Sequence, residues 1–239
     1  MNTFFFVIYP YLAFFIFCVG FVYRYKQTGF QVSSLSSQFL ESRTLYWGVM
    51  LFHWGIMVVF LGHLLAFLFP KGQLLWNTHP IRLILLEVTG FTFGLLVFVG
   101  LIFLILRRFI SKKVFTVTSK MDFALEFLLL AQVILGCWIA VGYRWGSSWF
   151  AADLSPYLWS LVLFQPKIKA VSAMPYVIQF HIIGAFTILL LIPFTRLVHF
   201  LVAPFHYIWR PYQRVMWNWD PKTIRSEKTV WSRMRPKNN

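Results

Sequence analysis

Residues 45–69 read LYWGVMLFHWGIMVVFLGHLLAFLF, a stretch with no acid, lysine or arginine and with two histidines, His53 and His63, inside it. A helix needs about 20 mainly apolar residues to cross the hydrocarbon core of a bilayer. This stretch therefore predicts a transmembrane helix that carries two ionisable rings. Four others qualify on the same ground: residues 4–23, 83–106, 122–143 and 176–203. Composition agrees, since only 12% of the 239 residues are charged and 59% are hydrophobic, against about 25% charged in soluble domains. Disorder is excluded by the hydrophobic content. The two cysteines, Cys18 and Cys137, lie in separate spans and exclude a disulfide framework.

The predicted fold class is all-α, a polytopic five-transmembrane-helix bundle occupying residues 1–208, with a basic tail over residues 209–239. The first span has no basic segment before it and no small-residue cleavage site, so it reads as a retained span and not as a signal peptide. Residues 154–166, LSPYLWSLVLFQP, are apolar but too short to cross. They read as an interfacial or re-entrant element within the long fourth connection.

The net charge of +15 is explained by where it sits. Seventeen of the 22 basic residues lie on one side, after spans 1 and 3, near the end of span 5 and in the tail, among them Arg24, Arg43, Arg107, Arg108 and Arg196. The other side holds Lys71, Arg82, Arg144, Lys167 and Lys169. Loops rich in lysine and arginine stay in the cytoplasm, which puts the N-terminus outside and the C-terminus inside. No nucleic acid is needed to account for the charge.

Four of the six histidines lie within spans: His53 and His63 in the second, His181 and His199 in the fifth. Ionisable groups inside a membrane are costly and point to function. Imidazole ligates haem iron, and an electron-transfer haem takes two axial ligands. The spans run in opposite directions, so depth pairs His63 with His181 near the outer face and His53 with His199 near the inner one. On straight helices the separations within each span disagree, about 27 Å in the fifth against about 15 Å in the second. Tilted haems, a tilted fifth span or a bend near Pro193 could absorb the difference. The alternative is four histidines bonded to neighbours or lining a transport path. His79 and His206, in the outer loop and at the inner interface, read as solvated.

Gly62, Gly55 and Gly184 lie beside these histidines, where a flat macrocycle must approach or where helices simply pack closely. Gly90 and Gly94 read as a packing pair. Arg196, one turn before His199, suits either an inner haem propionate or an interfacial anchor. Asp122 reads as the N-cap of the fourth span and Glu126 as structural. With no CxxC anywhere, iron–sulfur and molybdenum chemistry must reside elsewhere.

FFFVIYPYLA (4–13), SSQFLESRTLYWGVMLFHWGIMVVFLGHL (36–64) and FHIIGAFTILLLIPFTRLVHFLVAPFHY (180–207) resemble the gamma subunit of respiratory nitrate reductases. The resemblance runs from about residue 3 to about 215 and weakens over 144–175. It implies a dihaem cytochrome b in the cytoplasmic (inner) membrane, with two haem b groups held by His53, His63, His181 and His199 in the same cross-pairing. It also implies quinol as substrate and two partners on the cytoplasmic face, an iron–sulfur beta subunit and a molybdopterin alpha subunit. A basic residue, usually lysine, stands in the family where this chain has Arg82 and is implicated in quinol binding. Arginine keeps the charge but exchanges no proton at neutral pH. Glu87 is an acid where the family is apolar; it either takes a quinol proton or pairs with Arg82. The tail, with Trp217, Trp219 and Trp231 among its bases, is expected to clamp the soluble subunits. Two other readings stand beside this one. The same scaffold could serve another reductase or run towards quinone during nitrite oxidation. A haem-free transporter would instead use broken helices or inverted repeats, and the sequence displays neither.

Overall fold

The structure is a computed structural model that describes residues 2–28, 37, 40, 41 and 43–202. The expected 209–239 tail and His206 lie outside the described residues. Every regular element among the described residues is helical. A π-helical turn at Phe4–Ile8 leads into α1 (Tyr9–Thr28), followed by α2 (Arg43–Leu68), α3 (Pro70–Asn77), α4 (Pro80–Ile110), α5 (Lys112–Thr116) and α6 (Lys120–Gly142). The long fourth connection folds as α7 (Gly146–Trp149), a second π turn (Phe150–Leu154), α8 (Ser155–Val162) and α9 (Lys169–Ala173). The last span is α10 (Tyr176–Leu191), continued by 3-10 segments at Ile192–Phe194 and Arg196–Val202. Among the described residues, five helices are long and apolar enough to cross a membrane. Their outward faces stay apolar, with Phe15, Trp54, Ile81 and Trp138 all exposed, as a lipid-facing surface requires.

Neighbours in sequence are neighbours in space: α2 packs on α4, α4 on α6, α6 on α10, and α1 returns to cover α10. The closest crossing is α2 with α4. A Cβ added at Gly100 would lie 2.5 Å from the backbone nitrogen of Phe52, and one at Gly55 would lie 2.8 Å from the carbonyl oxygen of Phe93. Small residues let the two backbones meet, and this contact fixes the helix that carries His53 and His63. At the far end of α4, the buried Arg107 guanidinium donates to the Glu41 carboxylate at 2.6 Å, to the Glu41 carbonyl and to both oxygens of Ser37. Glu41 in turn accepts the N–H groups of Thr44 and Leu45 in the first turn of α2. Burial pushes the Glu41 carboxyl up, but the Thr44 amide, the Arg107 guanidinium and the Leu45 amide outweigh it and hold it below its ordinary value of 4.5. A depressed acid contributes stability above that ordinary value and loses it as pH falls through the lowered one.

Prolines disturb two spans, and each disturbance is repaired by a distant side chain. Pro10 has no N–H to offer the carbonyl four residues earlier, that of Phe6. The chain widens into the π turn before it, and the Tyr157 hydroxyl of α8 donates to Phe6 O at 2.9 Å. The last turn of α2 has unpaired carbonyls as any helix does; Ser155 donates to Ala66 O and Trp159 Nε1 to Phe67 O, both at 2.9 Å. Residues 154–166 are thus a folded cap. Leu154, Tyr157 and Leu161 are buried with Phe6, Ile139, Val171, Ile178 and Ile182.

The second proline ends the fifth helix. The span is expected over residues 176–203 with a bend near Pro193 as one way to reconcile the histidine spacings; the α-helix ends at Leu191, and Thr195 is extended (φ −123°, ψ 179°) before the chain turns again. Pro193 is the cause, since it cannot continue the hydrogen-bond ladder. The carbonyls of Pro193 and Thr195 accept from the Arg24 guanidinium of α1 at 2.6 and 3.0 Å, and Pro193 sits against Gly20.

Two substitutions test this packing. Tyr157→Phe should leave the Phe6 carbonyl buried without its partner and cost about 1–3 kcal/mol, measured as unfolding of the purified protein in detergent. Gly100→Ala should lower the thermal midpoint because two backbones must part, whereas Gly90→Ala, where a Cβ meets nothing within 4 Å, should leave it unchanged.

Candidate functional site

His53 on α2 and His199 in the 3-10 segment after the Pro193 break face each other, with ring centroids 6.2 Å apart and planes inclined by 55°. His53 Nδ1 bonds to Val49 O at 2.9 Å and His199 Nδ1 to Arg196 O at 2.6 Å. A carbonyl can only accept, so Nδ1 carries the proton in both rings and Nε2 keeps its lone pair. That is the tautomer in which metal-binding histidines are held. Two metal–nitrogen bonds of about 2 Å on opposite sides of one ion would set the ring centroids roughly 6 Å apart.

The second pair lies towards the capped end. His63 Nδ1 bonds to Val59 O at 2.8 Å, which leaves Nε2 free in the same way. The Phe150 ring meets the His63 ring edge-on at 5.5 Å. His181 stands on α10, where it packs on α6. Its Nδ1 is buried with no hydrogen-bond partner among the described residues, and the ring lies close to the Gln132 backbone of α6. Gly136 of α6 permits its approach, since a Cβ there would be 3.3 Å from His181 Cε1. The three glycines beside the histidines divide. Gly55 is packed on α4 and Gly184 is filled by the Gln132 side chain, whereas a Cβ at Gly62 meets nothing within 4 Å.

These donor sets suit an axially ligated haem. Three of the four histidines have Nδ1 tied to a carbonyl, and the fourth has a buried orphan nitrogen. Among the described residues no group of three or more His, Cys, Asp or Glu side chains gathers. A haem needs only two axial side chains, because its own macrocycle supplies the other ligands.

The supports of His199 differ from the sequence reading. Arg196, expected at a propionate or the interface, directs its fork to Asp122, with Nε–Oδ1 at 2.7 Å and Nη2–Oδ2 at 3.0 Å. Asp122 is not the N-cap of α6. Ser119 is, and the two form a reciprocal capping box, with Asp122 N–H donating to Ser119 Oγ and Ser119 N–H to Asp122 Oδ2. Glu126, one turn on, accepts from Arg108 Nε at 2.6 Å. Arg24 was read only as a topology charge, and a signal for its role did exist: a proline two-thirds along a span needs a donor at the same depth.

Arg82 and Glu87 do not pair with each other. They stand five residues apart on α4, roughly 140° around the helix. Arg82 stacks over the Trp76 ring of α3 at 5.2 Å. Glu87 Oε1 accepts from the Ser147 N–H at 2.8 Å and the Ser147 hydroxyl at 2.6 Å. Glu87 also lines an apolar groove with Ile84, Phe91, Val141, Arg144 and Trp145. Trp145 adopts φ 65°, ψ 39° there, a left-handed conformation that costs about 1–2 kcal/mol. The Glu87–Ser147 bonds and those from Asn77 to Ser147 and Ser148 (3.0 and 2.9 Å) hold the turn that follows it. Because α3 packs on both α7 and the π turn, Arg82, Glu87 and the Phe150 that touches His63 belong to one cap. His79 stands at the N-cap of α4, exposed and making no side-chain cap bond.

Comparison with known proteins adds a separate line of support. The family model for the nitrate reductase gamma subunit matches residues 2–218. The chain is 32% identical over 208 residues to the nitrate reductase gamma chain of Bacillus subtilis (strain 168), covering 85% of this chain and 92% of that one. It is 33% identical over 221 residues to the respiratory nitrate reductase 2 gamma chain of Escherichia coli (strain K12), covering 90% and 96%, respectively. The respiratory nitrate reductase 1 gamma chain of the same organism is 30% identical over 220 residues, covering 90% and 97%. Matched nearly end to end on both sides, the chain belongs to the nitrate reductase gamma subunit family.

Proposed function

We propose that this chain is the membrane-anchoring, quinol-oxidising cytochrome b subunit of a nitrate reductase complex. It lies in the cytoplasmic membrane with its N-terminus outside. The observation that carries the reading is the approach of His53 and His199 to 6.2 Å, each with Nδ1 bonded to a backbone carbonyl. With Nδ1 occupied in this way, each ring keeps Nε2 for a ligand. His53 and His199 would hold the inner haem b, and His63 and His181 the outer one. When bound, the two haems supply one-electron transfer across the membrane's depth.

The chain's own residues do the rest. Gly62 leaves the side of His63 clear, and Phe150 walls it edge-on. A quinol headgroup bound under the cap meets the Arg82 guanidinium, which is held flat on Trp76 and can donate hydrogen bonds but not move a proton. Glu87, with Oε1 fixed by Ser147, takes the quinol proton at Oε2 and passes it outward. The basic 209–239 tail docks an iron–sulfur beta subunit, which relays electrons to a molybdopterin alpha subunit where nitrate is reduced. Negative charge then moves inward while protons leave outside, conserving about 2.3 kcal/mol per charge per 100 mV.

Redox-titrated visible spectra of the purified complex should resolve two b-type centres. His63→Ala or His181→Ala should remove one and His53→Ala or His199→Ala the other. Absence of haem absorbance would end the reading. Arg82→Gln and Glu87→Gln should slow quinol-driven reduction on the order of a hundredfold and leave the chemically reduced spectrum intact; equal rates would exclude both residues from the quinol site.

A further inference from the structure

His199 lies in a short 3-10 segment beyond a broken helix, and such segments have few internal bonds to hold a ring in place. Two side chains from other helices compensate. Arg24 of α1 grips the carbonyls of Pro193 and Thr195, upstream of the ring. Asp122 of α6 grips Arg196 through two bonds of 2.7 and 3.0 Å, and the carbonyl of that same Arg196 receives His199 Nδ1–H at 2.6 Å. Asp122 is itself rigid, since its backbone N–H and its carboxylate are both locked to Ser119 at the start of α6. The path from the α6 N-terminus to the imidazole therefore runs through three successive links, Ser119 to Asp122, Asp122 to the Arg196 guanidinium, and the Arg196 carbonyl to His199, with the two-point fork restraining the arginine side chain between the last two. His53, by contrast, takes its Nδ1 partner from the regular turn of α2.

We infer that Asp122 is a positioning residue for His199, setting the orientation and donor strength of that imidazole through Arg196. This rests on the proposal that His199 is an axial haem ligand. Partners of a ligand's second nitrogen fix its tautomer and raise its basicity, and their loss changes metal affinity or activity about 10–100-fold. A weaker imidazole donor, with one negative charge removed nearby, favours the reduced state of the iron it binds. Asp122 thereby tunes the inner centre only, because His63 and His181 share none of these bonds.

The test is a redox titration of the intact complex carrying Asp122→Asn, with the oxidised low-spin signals recorded in parallel. The expected result is a raised midpoint for the inner centre, on the order of tenfold in its reduction equilibrium, or about 59 mV for one electron. Its low-spin signal should shift while the outer centre stays in place. Asp122→Glu, which keeps the charge, should restore most of the midpoint, as a merely structural lesion would not. An unchanged inner centre, or equal shifts in both, overturns the inference while leaving the haem reading standing. Loss of the two centres from the unaltered complex overturns the haem reading itself. Should Asp122→Asn fail to accumulate, Arg196→Lys retains a cation but loses the fork. It should displace the inner centre alone, and no displacement refutes the positioning role.

Discussion

Inside hydrocarbon no water is available, so every backbone carbonyl and every ring N–H must find its partner within the chain. Most features of this molecule answer to that constraint. It puts the Nδ1 protons of His53, His63 and His199 on backbone carbonyls, and the same bonds turn each Nε2 away from the backbone as a lone-pair donor. It brings the Tyr157 hydroxyl to the carbonyl that Pro10 cannot serve and Arg24 to those freed near Pro193.

The bundle then divides its labour. Helix α2 is held by backbone-close packing on α4, where glycines replace side chains. Of the opposing histidines, His181 is held by α10, which packs on α6 and α1, and His199 by the 3-10 segment beyond the Pro193 break. At the end opposite the cap, Glu41, Asp122 and Glu126 each receive an arginine, from Arg107, Arg196 and Arg108. Arg107, Asp122 and Glu126 are buried, and removing one partner of such a pair leaves an uncompensated buried charge. Arg107 and Arg108 therefore do more than mark the side of the membrane on which the chain's positive charge lies.

Much of this was legible in the residues. Length and hydropathy are one-dimensional properties, and they located four spans to within a few residues and overran the end of the fifth, whose α-helix stops at Leu191. The histidines were legible because four ionisable rings in apolar runs have no cheap alternative. What stayed hidden depended on contacts between distant parts of the chain. Tyr157 and Phe6 are separated by 151 positions, and Arg24 and Pro193 by 169. The break after Leu191 was foreseen only as one of three ways to reconcile unequal histidine spacings, because a proline in a membrane helix can kink it or end it. Asp122 was misplaced by three residues, since a capping box with aspartate at its third position resembles a lone N-cap. The Glu87–Arg82 pairing failed on helical phase, which their five-residue spacing already contained.

The central claim is that the two spans present paired imidazoles to two irons. It is tested most directly by low-temperature electron paramagnetic resonance, with near-infrared magnetic circular dichroism, on the oxidised complex. The account predicts two low-spin ferric signals, each with bis-imidazole character, and the loss of one signal on replacing either member of its pair. A single centre, a high-spin centre with one protein ligand, or loss of both signals from any one histidine substitution would contradict it.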